Sequence, residues 1–225
     1  MIISLCNQKG GSARSTTAFN LGAILASQGI KTLCIDFDPQ GTLSSFWGIE
    51  SGGMDEVILE GKSISEITVQ PRKNLHIAPA DIHLANAEFR LPSMLNREYR
   101  LRDALQNLHD EYQVVLIDNQ PSLGLLFVNS LAACDQILIV MACDYASLLG
   151  VKLLYDSILD VRTQVNPSLE ILGLARTRFD GRTLHAKLVS QKAEEMFGDH
   201  LSVLNSIINE RTAVRDASIA NQPIT

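Results

Sequence analysis

The chain has 225 residues, 46% hydrophobic and 20% charged, with a formal net charge of −6. That length buries most of its apolar surface as one large domain or two small ones, and the composition, with no low-complexity tract, gives no sign of a disordered or solenoid section. The acidic balance excludes a surface that is basic all over, but leaves room for a local basic patch.

The first residues, Met1-Ile2-Ile3-Ser4-Leu5-Cys6, have no basic lead and run straight into polar residues. They read as a strand, not as a signal peptide, and no later apolar run approaches the roughly 20 residues a membrane span needs. Strands are predicted over 1–6, 32–35, 75–78, 113–117, 136–141 and 169–174. Helices are predicted over 15–28, 97–110, 148–164 and 184–197, with Gly29 and Gly198 as C-terminal glycines. Strands and helices that alternate in this way predict an α/β fold of three layers, a mostly parallel sheet flanked by helices. Residues 51–73 are weakly periodic and read as short peripheral helices and loops. No internal repeat and no hinge-like Pro/Gly/Ser stretch divides the chain, so residues 1–225 are expected to form a single domain. Cys6, Cys34, Cys134 and Cys143 lack CxxC spacing and read as reduced core thiols, and the five scattered histidines as ordinary surface or core residues.

Residues 8–17 read Gln-Lys-Gly-Gly-Ser-Ala-Arg-Ser-Thr-Thr, between the first strand and the first helix. Backbone N–H groups of such a turn, with the positive end of the helix, cradle phosphate. Against G-x-x-x-x-G-K-[ST], however, Gln8, Ala13 and Arg14 fail and only Ser15 fits. On that motif alone, an incidental strand-to-helix turn is the better reading.

A different pattern fits. Lys9, Gly10, Gly11 and Ser15 match K-G-G-x-x-K-[ST], the deviant loop of ParA-type partition ATPases, with Arg14 the one departure. Asp36-Phe37-Asp38-Pro39-Gln40-Gly41 resembles that family's D-x-D-P-Q-G segment. Val114 to Asp118, followed by Asn119-Gln120-Pro121-Ser122-Leu123-Gly124, is close to its Walker B strand and P-P-S-L-G turn. Phe179 to Thr183 and Glu210 to Ala217 complete the order. The chain resembles a ParA-type ATPase, of the Soj/MinD superfamily, over nearly its whole length.

The resemblance implies a deviant P-loop NTPase fold that binds ATP and Mg²⁺. Lys9, Gly10, Gly11, Ser12, Ala13, Arg14, Ser15 and Thr16 would surround the nucleotide, and Ser15, Asp36 and Asp118 would serve the metal. Lys9 would reach a partner's nucleotide in trans, and Asp38 would position the attacking water. Other uses stand beside these. Ser15 suits a helix cap and Asp36/Asp38 a solvated turn, and an isolated loop lysine is ordinarily a surface charge. Asp118 closes an apolar run, where a carboxylate without a cation or donors costs several kcal/mol, which favours a metal role.

Arg14 sets the terms of activity. Guanidinium is larger and planar where a compact ammonium is expected, and Ala13 adds a Cβ where backbone approaches phosphate. Weak nucleotide binding or slow turnover is expected. Arg176, Arg178, Arg182, Lys187, Arg211 and Arg215 are candidates for DNA phosphate contacts, and Arg178, Lys187, Arg211 and Arg215 carry that expectation. Salt bridging to Glu210 or Asp216, and adenine recognition, compete for Arg211 and Arg215.

The family usually continues past the segment at 221–224 into another helix, so the domain is expected to lack it, naturally or not. The lysine-flanked amphipathic tail of MinD-type relatives is missing too, which argues against membrane binding. The expected role is thus a cytoplasmic, nucleoid-associated partition ATPase. It would form a nucleotide-sandwich homodimer, bind DNA without sequence preference and answer to a ParB-like partner. The alternative is a catalytically degenerate scaffold or regulator. An iron–sulfur reductase is disfavoured because the cysteines fall in other loop contexts.

Overall fold

The computed structural model describes residues 1–108 and 110–224, with Asn107 and Arg215 described by backbone alone. Its strands are β1 (Ile2–Cys6), β2 (Thr32–Phe37), β3 (Val69–Arg72), β4 (Leu75–Ala78), β5 (Val114–Asn119), β6 (Gln136–Ala142), β7 (Glu170–Phe179) and β8 (Val203–Asn209). They form one sheet in the order β3-β4-β2-β5-β1-β6-β7-β8, parallel except for the β3–β4 pair. Every residue of β1, β2 and β5 is buried, as expected of parallel strands covered on both faces.

Side chains alternate between two cores. Ile2, Leu33, Ile35, Val115, Ile117 and Ile139 face one side, and Ile3, Leu5, Cys34, Leu116, Leu138 and Val140 the other. Helix α1 (Arg14–Ser27) covers the second face, packing so closely that a Cβ on Gly22 would lie 2.5 Å from Cys34 Sγ. On that face α2 (Thr42–Phe46) follows, and Phe19 packs on Trp47 at 4.5 Å between ring centroids. The first face is covered by α3 (Met54–Glu60), α4 (Ile64–Ile67), α5 (Ala85–Arg90), α6 (Arg100–Leu105), α7 (Leu125–Ala133), α8 (Tyr145–Gln164) and α9 (Leu184–Phe197). Helix α10 (Thr212–Ile219) follows β8.

Three sequence expectations change. Residues 51–73 are not merely peripheral, because α3 buries Met54, Val57, Ile58 and Leu59, and 69–72 adds an antiparallel edge strand. The helix expected at 97–110 is shorter, with turns up to Tyr99 and a 3-10 turn at Gln106–Leu108, while His109 lies outside the described residues. Gly29 closes α1 at φ 85°, but Gly198 has φ −56° and ends α9 without a left-handed residue. All four cysteines are buried free thiols.

Candidate functional site

Adjacent positions of β2, β5 and β1 bring the loops after their C-terminal ends together, where the strand order reverses. Register pairs Asp36 with Asp118, so two fully buried carboxylates stand side by side. Asp36 is held by Ser44, whose N–H and hydroxyl both donate to Oδ2 at 2.8 and 2.7 Å. Burial, and then the neighbouring Asp118, push the Asp36 carboxyl up to about 7. Its ordinary value is 3.8, so between the two the folded chain holds a proton that the unfolded chain has lost. The stability this group contributes is full below the lower value and declines as pH rises towards the upper one. A ¹³C carboxyl titration is expected to show Asp36 with a midpoint near neutrality, and a midpoint at the ordinary aspartate value would refute this.

The glycine-rich loop is tied down from beneath. Asn7, buried at the end of β1, donates to Lys9 O and Ser12 Oγ. The Thr177 hydroxyl on β7 donates to Ser12 O at 2.6 Å, and Arg178 Nη1 to Gly11 O at 2.9 Å. Gly11 has φ 79° and Ala13 φ 64°, and Ala13 is the N-cap of α1 with no side-chain cap. Ser15 is therefore inside the first turn and is not the capping serine that sequence allowed.

Arg14 turns inward. Its side chain is only 6% exposed. Nε donates to Asp118 Oδ1 at 2.5 Å, Nη2 to Asp38 Oδ2 at 2.8 Å and Nη1 to Asn7 Oδ1 at 2.8 Å. Burial pulls the guanidinium down, but Asp118 and then Asp38 outweigh it and hold Arg14 above its ordinary value. Burial raises the Asp118 carboxyl, against the pull of Arg14 and of the nearby Ser15 hydroxyl. Asp118 Oδ2 is buried without a hydrogen-bond partner.

That orphaned oxygen, on the carboxyl that the Ser15 hydroxyl influences, is a hard donor of the sort Mg²⁺ takes, so the donor chemistry fits. The carboxylates nevertheless do not converge on an open position: among the described residues no group of three or more His, Cys, Asp or Glu is disposed to hold a metal. Arg14 stands between Asp118 and Asp38.

The remaining expected residues separate. Lys9 lies at the surface on Asp144, the N-cap of α8, at 2.9 Å. Gly10 is exposed, and Thr16 lies on the first turn of α1. Arg178 is bound to Gly11 O and to Glu210 at 3.0 Å, while Lys187 and Arg211 are exposed. The side chain of Arg215 lies outside the described residues. Arg176 is buried against Ser190, Glu194 and Leu204 O, which removes it from the DNA candidates, and Arg182 pairs with Asp180 at 2.8 Å. Sequence reasoning missed Asn7, Thr177 and Asp144 as members of this site. Only Asn7, beside the loop, carried a signal in the sequence.

Comparison with known proteins decides the family. Residues 1–171 match the family model described as an AAA domain. Chromosome-partitioning ATPase Soj of Treponema pallidum is 39% identical over 221 residues, 97% of this chain and 87% of that protein. The chain belongs to the ParA/Soj family of partition ATPases. A second ParA/Soj relative, chromosome partitioning protein ParA of Myxococcus xanthus, is 42% identical over 88% of this chain and 70% of that protein. The fold is likewise that of ParA/MinD-like P-loop NTPases. Cobyrinic acid a,c-diamide synthase of Mycobacterium smegmatis, solved with an ATP analogue and magnesium, has a TM-score of 0.88 and 34% identity. The match covers 98% of this ParA/Soj chain and 90% of that one. No helix among the described residues is long and apolar enough to cross a membrane.

Proposed function

We propose that residues 1–225 form one nucleotide-binding domain that acts as a ParA-like partition switch, taking ATP and Mg²⁺, dimerising with ATP and binding DNA without sequence preference. Hydrolysis is slow. The observation that carries this is that Arg14, where the glycine-rich loop enters α1, meets Asp38 and Asp118 at the ends of adjacent parallel strands. Beside it runs a groove of about 830 Å³, lined by Gly11, Ala13 and Thr16 of the loop and helix and by Asn209, Arg211 and Val214 from the last third of the chain. Phosphates at the loop would leave the base in this groove. Ser15 and Asp118, backed by Asp36, are the residues that would hold Mg²⁺, whose chemistry there is neutralisation of phosphoryl charge. Asp38 Oδ1 already accepts from Gln40 N at 2.9 Å, which orients the carboxylate for water once Oδ2 is released by Arg14.

Support for the dimer comes from the surface beside Lys9. Tyr145, Leu149 and Leu153 are about half exposed and, four residues apart on α8, share one face next to the Lys9–Asp144 pair. Lys9 would leave Asp144 to meet the partner's phosphates. Exposed Lys187 and Arg211 are the first residues to test for DNA phosphate contact. A ParB-like protein and a nucleoid location belong to the same reading.

The Arg14 bridge favours a second reading, a scaffold that binds nucleotide without turning it over. Sedimentation with and without ATP, then DNA binding across a salt series, separates the two. An ATP-dependent dimer with salt-sensitive DNA affinity supports the switch; an ATP-independent oligomer without DNA affinity supports the scaffold. Lys9→Ala is expected to cost under about 1 kcal/mol in urea unfolding, since its ion pair is exposed, yet to abolish the ATP-dependent dimer. A Lys9→Ala chain that still dimerises with ATP would remove Lys9 from the interface.

A further inference from the structure

We infer that Arg14 is a built-in competitor of the divalent cation: its guanidinium is the resident counter-ion of Asp118, and a metal enters only when Arg14 leaves. The inference rests on the reading of Asp118 as the cation ligand of a nucleotide site. Its basis is the placement of one buried cation across two buried carboxylates, at 2.5 Å from Asp118 and 2.8 Å from Asp38. Asn7 Oδ1 takes a third N–H and fixes the plane of the guanidinium. A second observation points to a cation at the same spot. Asp118 Oδ2 is buried without a hydrogen-bond partner, so the guanidinium satisfies only one oxygen of this carboxylate.

The chemistry of the side chain explains why arginine does this and lysine would not. A guanidinium is planar and weakly hydrated, and it presents Nε and both terminal nitrogens in fixed directions, so it can bridge two carboxylates and an amide oxygen at once. An ammonium is a compact, strongly hydrated point charge on a flexible stem. It has no fixed span with which to hold both carboxylates, and it exchanges readily for a metal or turns to phosphate. The backbone limits Arg14 as well: Ala13 at φ 64° starts α1, and Thr17 N–H closes onto Ala13 O at 2.9 Å, so Arg14 leaves by rotating its side chain while the helix stays in place. With Arg14 inward, the loop keeps its backbone donors and loses its side-chain cation for the phosphates. With Arg14 outward, Asp118 and Asp38 are left as bare buried anions that call for a divalent ion. The two cations are mutually exclusive at Asp118, which makes metal entry and phosphate contact by Arg14 a single exchange.

The test uses Mn²⁺ alone, without nucleotide, with the free ion followed by electron paramagnetic resonance on the full chain. Arg14→Gln is expected to bind Mn²⁺ about tenfold or more tightly than the native chain, with Arg14→Lys between them. Adding Asp118→Asn to Arg14→Gln is expected to remove the gain. Equal Mn²⁺ affinity in native and Arg14→Gln chains, or a gain that survives Asp118→Asn, overturns the inference. Circular dichroism monitors folding, and if Arg14→Gln does not fold, the native-to-Arg14→Lys comparison decides by the same criterion, with an unchanged affinity overturning it. A native chain that fails to bind ATP while the Mn²⁺ difference persists would sink the partition-switch reading and leave this one standing.

Discussion

Arg14→Ala is expected to cost about 3–5 kcal/mol of stability at neutral pH, because it breaks a buried ion pair from one side only. Asp118 is fully buried and would lose the charge that offsets its desolvation, Asp38 would lose the donor to Oδ2, and Asn7 Oδ1 would lose its partner. The contrast with the exposed Lys9–Asp144 pair is one of solvent: water can replace Lys9, but not a guanidinium 6% exposed. The sign of the pH effect follows. Burial already raises the Asp118 carboxyl with Arg14 present, so without Arg14 it rises further. Below that raised value the folded variant takes up a proton and the uncompensated charge disappears, so the loss shrinks on acidification. Urea unfolding of native and Arg14→Ala chains at pH 7.5 and 5.5 measures it. A loss under about 1 kcal/mol at the higher pH, or one that grows at the lower, would show that Arg14 is not the counter-ion of Asp118.

The sheet was legible wherever strands are buried on both faces. Ile2–Cys6, Leu75–Ala78 and Gln136–Ala142 are apolar but for Ser4, His76 and Gln136, since the interior of a parallel sheet favours apolar side chains on both sides. Val203–Asn209 went unassigned for the opposite reason. It is the edge strand β8, and its half-exposed Val-Leu-Asn-Ser-Ile-Ile-Asn tolerates polar residues at positions where a central strand would not. Helix α7 was hidden by its own burial: Leu-Leu-Phe-Val-Asn-Ser-Leu-Ala-Ala is apolar nearly all round and has no periodic stripe. The loop, Asp36 and Asp38 stood out only through the order of the family's motifs, since the residues alone suited an ordinary turn, while Asp118 also stood out as a carboxylate closing an apolar run that the structure buries. The direction of Arg14 was not, since the same residue could point to phosphate or to carboxylate, and only the convergence of Asn7, Asp38 and Asp118 decides it. The same limit applies to Arg176. A basic residue in a basic stretch looks like a DNA contact until Ser190, Glu194 and the Leu204 carbonyl are seen to enclose it.

Giving the loop the family's lysine and relieving the strained residue before it, with Arg14→Lys and Ala13→Gly together, is expected to raise ATP turnover about 10²–10³-fold, the worth of one well-placed electrostatic contact. The two changes contribute unequally. Ala13 sits at φ 64° and ψ 27°, a left-handed conformation that costs an alanine roughly 1–2 kcal/mol and a glycine little. Glycine there relieves strain and lets phosphate approach the backbone, but leaves the guanidinium on Asp118 and Asp38, so Ala13→Gly alone is expected to stabilise the fold with little gain in rate. Arg14→Lys supplies the larger part. A single ammonium gives up the two-carboxylate bridge, reaches the phosphates as a point charge, and frees Asp38 Oδ2 for the attacking water. The same exchange should make turnover of the double variant depend on Asp38, so adding Asp38→Ala is expected to return it to the native rate. Single-turnover measurement of phosphate release on the native chain, both single variants, the double and the triple separates these contributions. Brisk hydrolysis by the native chain, unimproved by the pair, would show that guanidinium in this loop serves phosphoryl transfer as well as ammonium does.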